Sequence, residues 1–178
     1  MRLRATTAVF AALIILPCTV AVRAQPAPSV REIPQSLRVE HDNTLQQLAH
    51  LAQRPGPDGA AARSALTLFK QHLQREEAYI LPPLTLLPML ADGKVTSDMR
   101  WAVDMADRVR KDREEIFLEH TRITDAMNAL AAAAQRARDV EALDFARGAA
   151  ADSLNDVELL EPMCITIGEY LRAKLPAQ

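Results

Sequence analysis

An all-α fold, arranged as an up-down-up-down four-helix bundle with a pseudo-twofold internal repeat, is predicted by three features of this 178-residue chain. The chain is 49% hydrophobic but only 4% aromatic, with 5 Gly, and Ala, Leu, Arg, Glu and Gln, all strong helix formers, dominate it. Apolar residues recur at helical spacing, and no alternating run of β-branched residues is long enough for a sheet. Clusters of Pro and Gly divide the chain into four long segments whose two halves resemble each other. The net charge of −2, with no basic stripe, argues against a nucleic-acid partner.

Residues 1–24 have the pattern of a secretory signal peptide. Arg2 and Arg4 give a positive start, the apolar run Ala8 to Leu16 is too short to cross a bilayer comfortably, and Val22-Arg23-Ala24 precedes a cut at Gln25. The expectation is an exported protein, periplasmic or secreted, with no stable membrane association after cleavage; an uncleaved anchor is the alternative. Pro17 stands where a lipoprotein signal wants a small residue, which argues against lipidation at Cys18. With Cys18 removed, Cys164 is the sole thiol, so no intrachain disulfide forms, and its apolar helical setting marks it as a buried inert thiol.

Residues 25–33, rich in Pro and Ala, read as a flexible lead-in to a domain over 34–175. The first helix, about 34–53, starts at Pro34, follows Leu37, His41, Leu45, Leu48 and Ala52, and stops at Arg54-Pro55-Gly56-Pro57-Asp58-Gly59. The second, about 60–81, carries Ala65, Leu66, Phe69, His72, Leu73, Glu76, Tyr79 and Ile80 inward, and Pro82-Pro83 kinks or ends it. Leu84 to Leu90 has room for a further turn or two before the link 91–96. Ser97 suits the N-cap of a third helix, about 98–136, with a charged, partly solvated first half and a stripe through Ile116, His120, Ile123, Met127 and Leu130. The fourth helix, about 139–175, is expected to turn Phe145, Ala149, Asp152, Asp156, Leu159, Leu160, Met163 and Ile167 inward.

His72 and Glu76 stand four residues apart on one apolar helix face, where two ionisable groups would be unsatisfied without a partner. A metal ion is one such partner. The same pattern is written twice. Glu40-His41 is echoed by Glu119-His120 at an offset of 79, and Glu76, Tyr79-Ile80 and Pro82 by Asp156, Leu159-Leu160 and Pro162 at an offset of 80. His72 corresponds to Asp152, while His50, half a turn from His41, is expected to face solvent.

A His, then a His-x-x-x-Glu pair on the next helix, then the same arrangement again, resembles the hemerythrin-like (HHE cation-binding) domains over about residues 34–170. The resemblance implies a four-helix bundle holding non-haem iron, a di-iron centre more than a single ion, with zinc or manganese as other candidates. It implies His41, His72, Glu76 and His120 as metal ligands. Asp156 is the second carboxylate, and Asp152 a substitute where the family places a His. Thr124 stands where the oxygen carriers have another His. Glu158 and Glu161 are alternative donors if the last helix is rotated; Glu40, Glu77 and Glu119 flank ligands. Tyr79 is expected to pack beside the site, with contact to a bound ligand or capture of an oxidising equivalent as the functional alternatives.

Three imidazoles suit Fe, Zn, Cu or Ni, up to three carboxylates add hard oxygen character, and the lack of a nearby thiolate excludes a Cys-type structural zinc site. The anionic oxygen in this set stabilises oxidised metal, so reversible O2 binding is expected to be poor. The expected function is binding: iron, together with a small diatomic ligand such as O2 or NO, or a reactive oxygen species. The alternatives are an enzyme that oxidises Fe(II) or disposes of peroxide, and a metal-free bundle that serves as a partner-binding module. The sequence is silent on oligomeric state.

Overall fold

The computed structural model describes residues 31–176, and these are helical nearly throughout, with no strand among them. The chain is therefore all-α. The signal peptide expected over 1–24 and most of the lead-in lie outside the described residues. No described helix is long and apolar enough to cross a membrane.

Helix α1 spans Gln35–Ala52, with Pro34 as its N-cap residue. Helix α2, Gly56–Arg75, starts about a turn earlier than its apolar stripe predicts. Pro57 lies in its first turn, where a missing N–H costs nothing, so half of the expected turn sequence is helix. Gly59 is required there, because a Cβ would fall 1.9 Å from the Arg54 carbonyl oxygen. A π-helical turn, Glu76–Ile80, and a 3-10 turn, Pro82–Leu86, follow, then the short α3, Leu87–Ala91.

The expected third helix is divided into a 3-10 turn, Ser97–Arg100, and the long α4, Trp101–Ala137. Thr96 takes the N-cap position, and no side chain caps that turn, so Ser97 does not do what its position predicts. The charged first half of α4 is anchored on one face by buried Ala102, Val103, Ala106 and Val109. Helix α4 ends on Arg138 in the left-handed region, and Asp139 caps α5 by accepting a 3.0 Å hydrogen bond from the Ala142 N–H.

The expected fourth helix is also interrupted. Helix α5, Val140–Asn155, gives way to a second π turn, Asp156–Leu160, before α6, Glu161–Lys174. Its inward stripe differs from the one expected. Ala142, Ala146, Ala150 and Ser153 are buried, Phe145 and Ala149 only partly, and Leu159 is 57% exposed. Small alanines face α4, so the backbones approach closely and Phe145 is left at the edge. Beyond Asp156 a constant 100° per residue fails, because the π turn takes up one extra residue. Gly168 serves the same closeness further on: a Cβ there would lie 2.2 Å from the Ala106 Cβ.

Helix α1 packs on α2, α2 on α4, and α4 on both α5 and α6. Two apolar clusters fill the interior. One contains Leu48, Leu51, Ile123, Met127 and Leu130; the other contains Ile80, Leu81, Val109, Ile116, Cys164 and Leu171. Fully burying each large side chain contributes about 1.5–3 kcal/mol. The histidines fall in sequence between the two clusters on α1, α2 and α4, as a polar layer between two greasy ones.

Candidate metal centre

Both π turns start on a residue of the polar layer, Glu76 in the first half and Asp156 in the second, at the repeat offset of 80. The turns are closed by Leu81 N–H to Glu76 O at 2.9 Å and by Glu161 N–H to Asp156 O. Each is followed by a proline, Pro82 or Pro162. A proline cannot donate to the carbonyl four residues back, and its ring collides with that carbonyl, so the preceding turn widens. Single widened turns of this kind are frequent at functional sites. They also place residues five apart on one face, which brings Glu161 round behind Asp156.

The assembled donors are nearly sealed from water. His41, His72, Glu76, His120 and Glu161 are all buried, with His72 and Glu76 each only 1% exposed. Glu76 Oε2 lies 3.2 Å from His72 Nε2 and 3.4 Å from His41 Nε2. The angles fall outside hydrogen-bond geometry, and both Glu76 oxygens are left without a donor. The rings of His72 and His120 meet edge to face with centroids 4.4 Å apart. Beyond them His120 Nε2 stands 3.6 Å from Glu161 Oε1. On its other side His120 Nδ1 is 3.1 Å from the Ser153 hydroxyl. When Nδ1–H donates to Ser153, the Nε2 lone pair is presented to the site, as a metal-bound imidazole requires.

His72, Glu76, His120 and Asp156 each offer one donor atom, all within 4.8 Å of one another, so this group could hold a metal ion. Two donors on one ion at about 2.1 Å each stand at most about 4.2 Å apart, so small rotamer adjustments close the set. The chemistry of the set fits a cation as well. His120 Nε2, Glu161 Oε1 and both Glu76 oxygens are buried without partners. Each such atom costs about 1–3 kcal/mol unless something satisfies it. The donors are nitrogen and oxygen only, which suits iron, zinc or manganese.

Of the residues predicted from sequence, His41 joins through Glu76, and its Nδ1 faces Glu77 Oε1 at 3.7 Å. Asp152 is exposed and stays out of the four-donor group. It lines, with Glu40, His41, His72, Ser153 and Asp156, a cavity of about 20 Å³. That is room for one water-sized molecule. His50 is exposed, as its angular position predicts. Glu158 is exposed, while Glu161 turns inward to 2% exposure. Sequence reasoning held Glu161 only as an alternative donor; the signal for it was Pro162, which announces the widened turn.

The protonation pattern reports an interior with too much carboxylate for its cations. Burial pushes Asp156 up to about 8, and the neighbouring Glu76 charge adds to the shift. Burial likewise pushes Glu161 up to about 7, with Glu76 again contributing. For Glu76 burial acts in the same direction, but contact with His72 and the charges of His72, His41 and His120 outweigh it and hold the carboxyl below its usual range. For His72 burial favours the neutral ring; Glu76, Asp156 and Glu119 override it and raise the pKa. Burial, with the His72 charge second, drops His120 to about 4, so it is a neutral ligand at any ordinary pH.

Beside the site, the Tyr79 hydroxyl donates to Asp112 Oδ2 at 3.1 Å, and its ring lies under the Arg108 guanidinium. Cys164 is buried, and burial pushes its thiol up to about 12, so it is inert as its sequence setting predicts.

No protein-family model, curated protein or solved structure matches this chain.

Proposed function

We propose that this chain is an exported, hemerythrin-like up-down-up-down bundle that holds non-haem iron in its core and binds or senses a small oxygen species. What carries the reading is the convergence of His72, Glu76, His120 and Asp156, from both halves of the repeat, on one buried point. The bundle topology is supported by α1, α2, α4 and α5 each packing on the next.

In this reading Glu76 is central, with His41 and His72 on one side and His120 and Glu161 on the other. His41, His72, Glu76, His120 and Glu161, with Asp156 beside them, would hold the iron, and the number of donors favours a pair of irons over one. Bound iron supplies redox chemistry and affinity for oxygen species. The residues of this chain supply anionic oxygen that favours the ferric state, water exclusion by the two apolar clusters, and a proton on Asp156 or Glu161 that leaves when the cation enters. The cavity beside His41 and Asp156 has room for one water-sized molecule.

The test is iron per chain after anaerobic Fe(II) loading of tag-free protein. Two equivalents support the bridged pair and one supports a mononuclear site. His72→Ala is expected to abolish retention; a metal-free bundle would tolerate that change or gain stability from losing a buried polar group.

A further inference from the structure

We propose that the groove between α1 and α5 is the route by which a divalent cation enters the core, with Glu40 and Asp152 as its acidic gate. A groove of about 270 Å³ opens to solvent there, lined by Glu40, Asp144 and Asp152 together with the amides Asn43 and Gln47. No Lys or Arg lines it. The groove shares Glu40, Thr44, Ala149 and Asp152 with the cavity of about 20 Å³ beside the candidate centre. His41, His72 and Asp156 are also walls of that cavity. The shared walls join solvent to His72 and Asp156, two of the four convergent donors. The inference rests on the iron reading of that centre and adds how the ion reaches it.

A cluster of surface carboxylates alone would not mark a route, but its inner end does. His72 is 1% exposed, lines the cavity and keeps its Nδ1 without a partner. That nitrogen is closed to water at rest, so the last step inward uses the same small rotamer adjustments that close the donor set. The cavity holds one water-sized molecule, so an entering cation must shed most of its hydration shell. The carboxylates of Glu40 and Asp152 and the Thr44 hydroxyl offer oxygen in place of the lost waters. The two other openings beside the donors suit a cation less. One sets apolar Phe117, Leu154 and Val157 along its wall, and the other carries Arg110, Lys111 and Arg113. A cleft lined by one sign of charge raises the arrival rate of the opposite sign about 10- to 1,000-fold. Asp152, which the repeat assigns to the site and the fold leaves exposed, thus serves the ion on its way in.

The test is the rate of anaerobic Fe(II) loading of tag-free, full-length protein, with uncaptured ion counted by rapid quenching into a colorimetric chelator and retained iron counted at the end. Glu40→Gln with Asp152→Asn should slow loading about tenfold in about 0.01 M salt, and the deficit should shrink toward wild type in about 1 M salt. Final iron per chain should be unchanged. Ala149→Leu narrows the shared neck and should slow loading and release alike, leaving affinity unaltered. Glu114→Gln with Asp125→Asn removes the same charge beside the other two openings and should load at the wild-type rate. Wild-type loading rates in the Glu40/Asp152 pair overturn the inference, whether or not Ala149→Leu folds. Equal slowing by the Glu114/Asp125 pair overturns it too, as does a lower final stoichiometry in the Glu40/Asp152 pair, which would make these residues ligands. Wild-type protein that retains no iron overturns both proposals; iron retained at rates the groove variants do not change overturns only this one.

Discussion

The first half of the chain opens a π turn on Glu76 beside two imidazoles; the second opens the matching turn on Asp156 beside one. The backbone device is the same and the load it carries is different. In the first half His41 and His72 lie close enough to hold Glu76 ionised. In the second half two carboxylates, Asp156 and Glu161, share His120, and burial raises both. The first hairpin compensates its own charge, whereas the second is left with acids that need either a proton or a cation. A repeat can thus keep its geometry while shifting the cost of an occupied site onto one half.

The comparison breaks most completely if Glu76 is not the shared centre. Glu76→Gln keeps the volume and removes the charge between the two sides. It is expected to weaken metal binding at least about 100-fold, or about 2.7 kcal/mol, read by competition with a chelator of known affinity. Retention at half stoichiometry would place the ion on the second half alone.

Asp156→Asn sharpens the contrast from the other side. Burial holds the folded Asp156 carboxyl well above its ordinary range while the unfolded chain ionises it at pH 7, so removing the acid should stabilise the metal-free protein in urea unfolding. Metal affinity should fall by about tenfold, with the weaker equivalent lost first. A large loss of stability in the metal-free form would mean that the carboxylate is held ionised by something other than a cation.

A smaller effect is expected from pH. In the folded protein Asp156 and Glu161 are pushed up to about 8 and about 7, above their ordinary values of 3.8 and 4.5. The metal-free folded state therefore binds more protons than the unfolded chain, and stability falls as pH rises toward 8. His72, raised as well, adds to the same trend above its ordinary value of 6.5. His120, depressed to about 4, acts in the opposite sense only below pH 6.5. Between pH 6.5 and 8.5 the melting temperature of metal-free protein should drop. Iron-loaded protein should keep or gain stability there, because the ion displaces those protons. Parallel pH curves for the two forms would contradict this.

Much of the candidate site was legible in the sequence because His41, His72 and His120 sit on regular helix and Glu76 directly follows one, so periodicity and burial agree there. His50 faces solvent for the same reason. Most of the rest was hidden by the π turns. A constant-angle wheel carried through 156–160 turns Leu159 inward and relegates Glu161, and both depart from the observed arrangement; Asp152, assigned from its register with His72, is exposed on regular helix ahead of that turn. The repeated proline at an offset of 80 was the visible cue, read as a kink where it widens the turn before it. Thr96 displacing Ser97 as cap and the early start of α2 are boundary effects of one to four residues, the scale on which local propensity is weakest.

The most direct test of the shared centre is an anomalous-scattering map at the iron edge from crystals of iron-loaded, tag-free protein. The account predicts density in the core within about 2.5 Å of His72, Glu76 and His120 donor atoms, with Asp156 or Glu161 drawn in from the second half. Iron found only at surface carboxylates, with those side chains still in mutual contact, would contradict it.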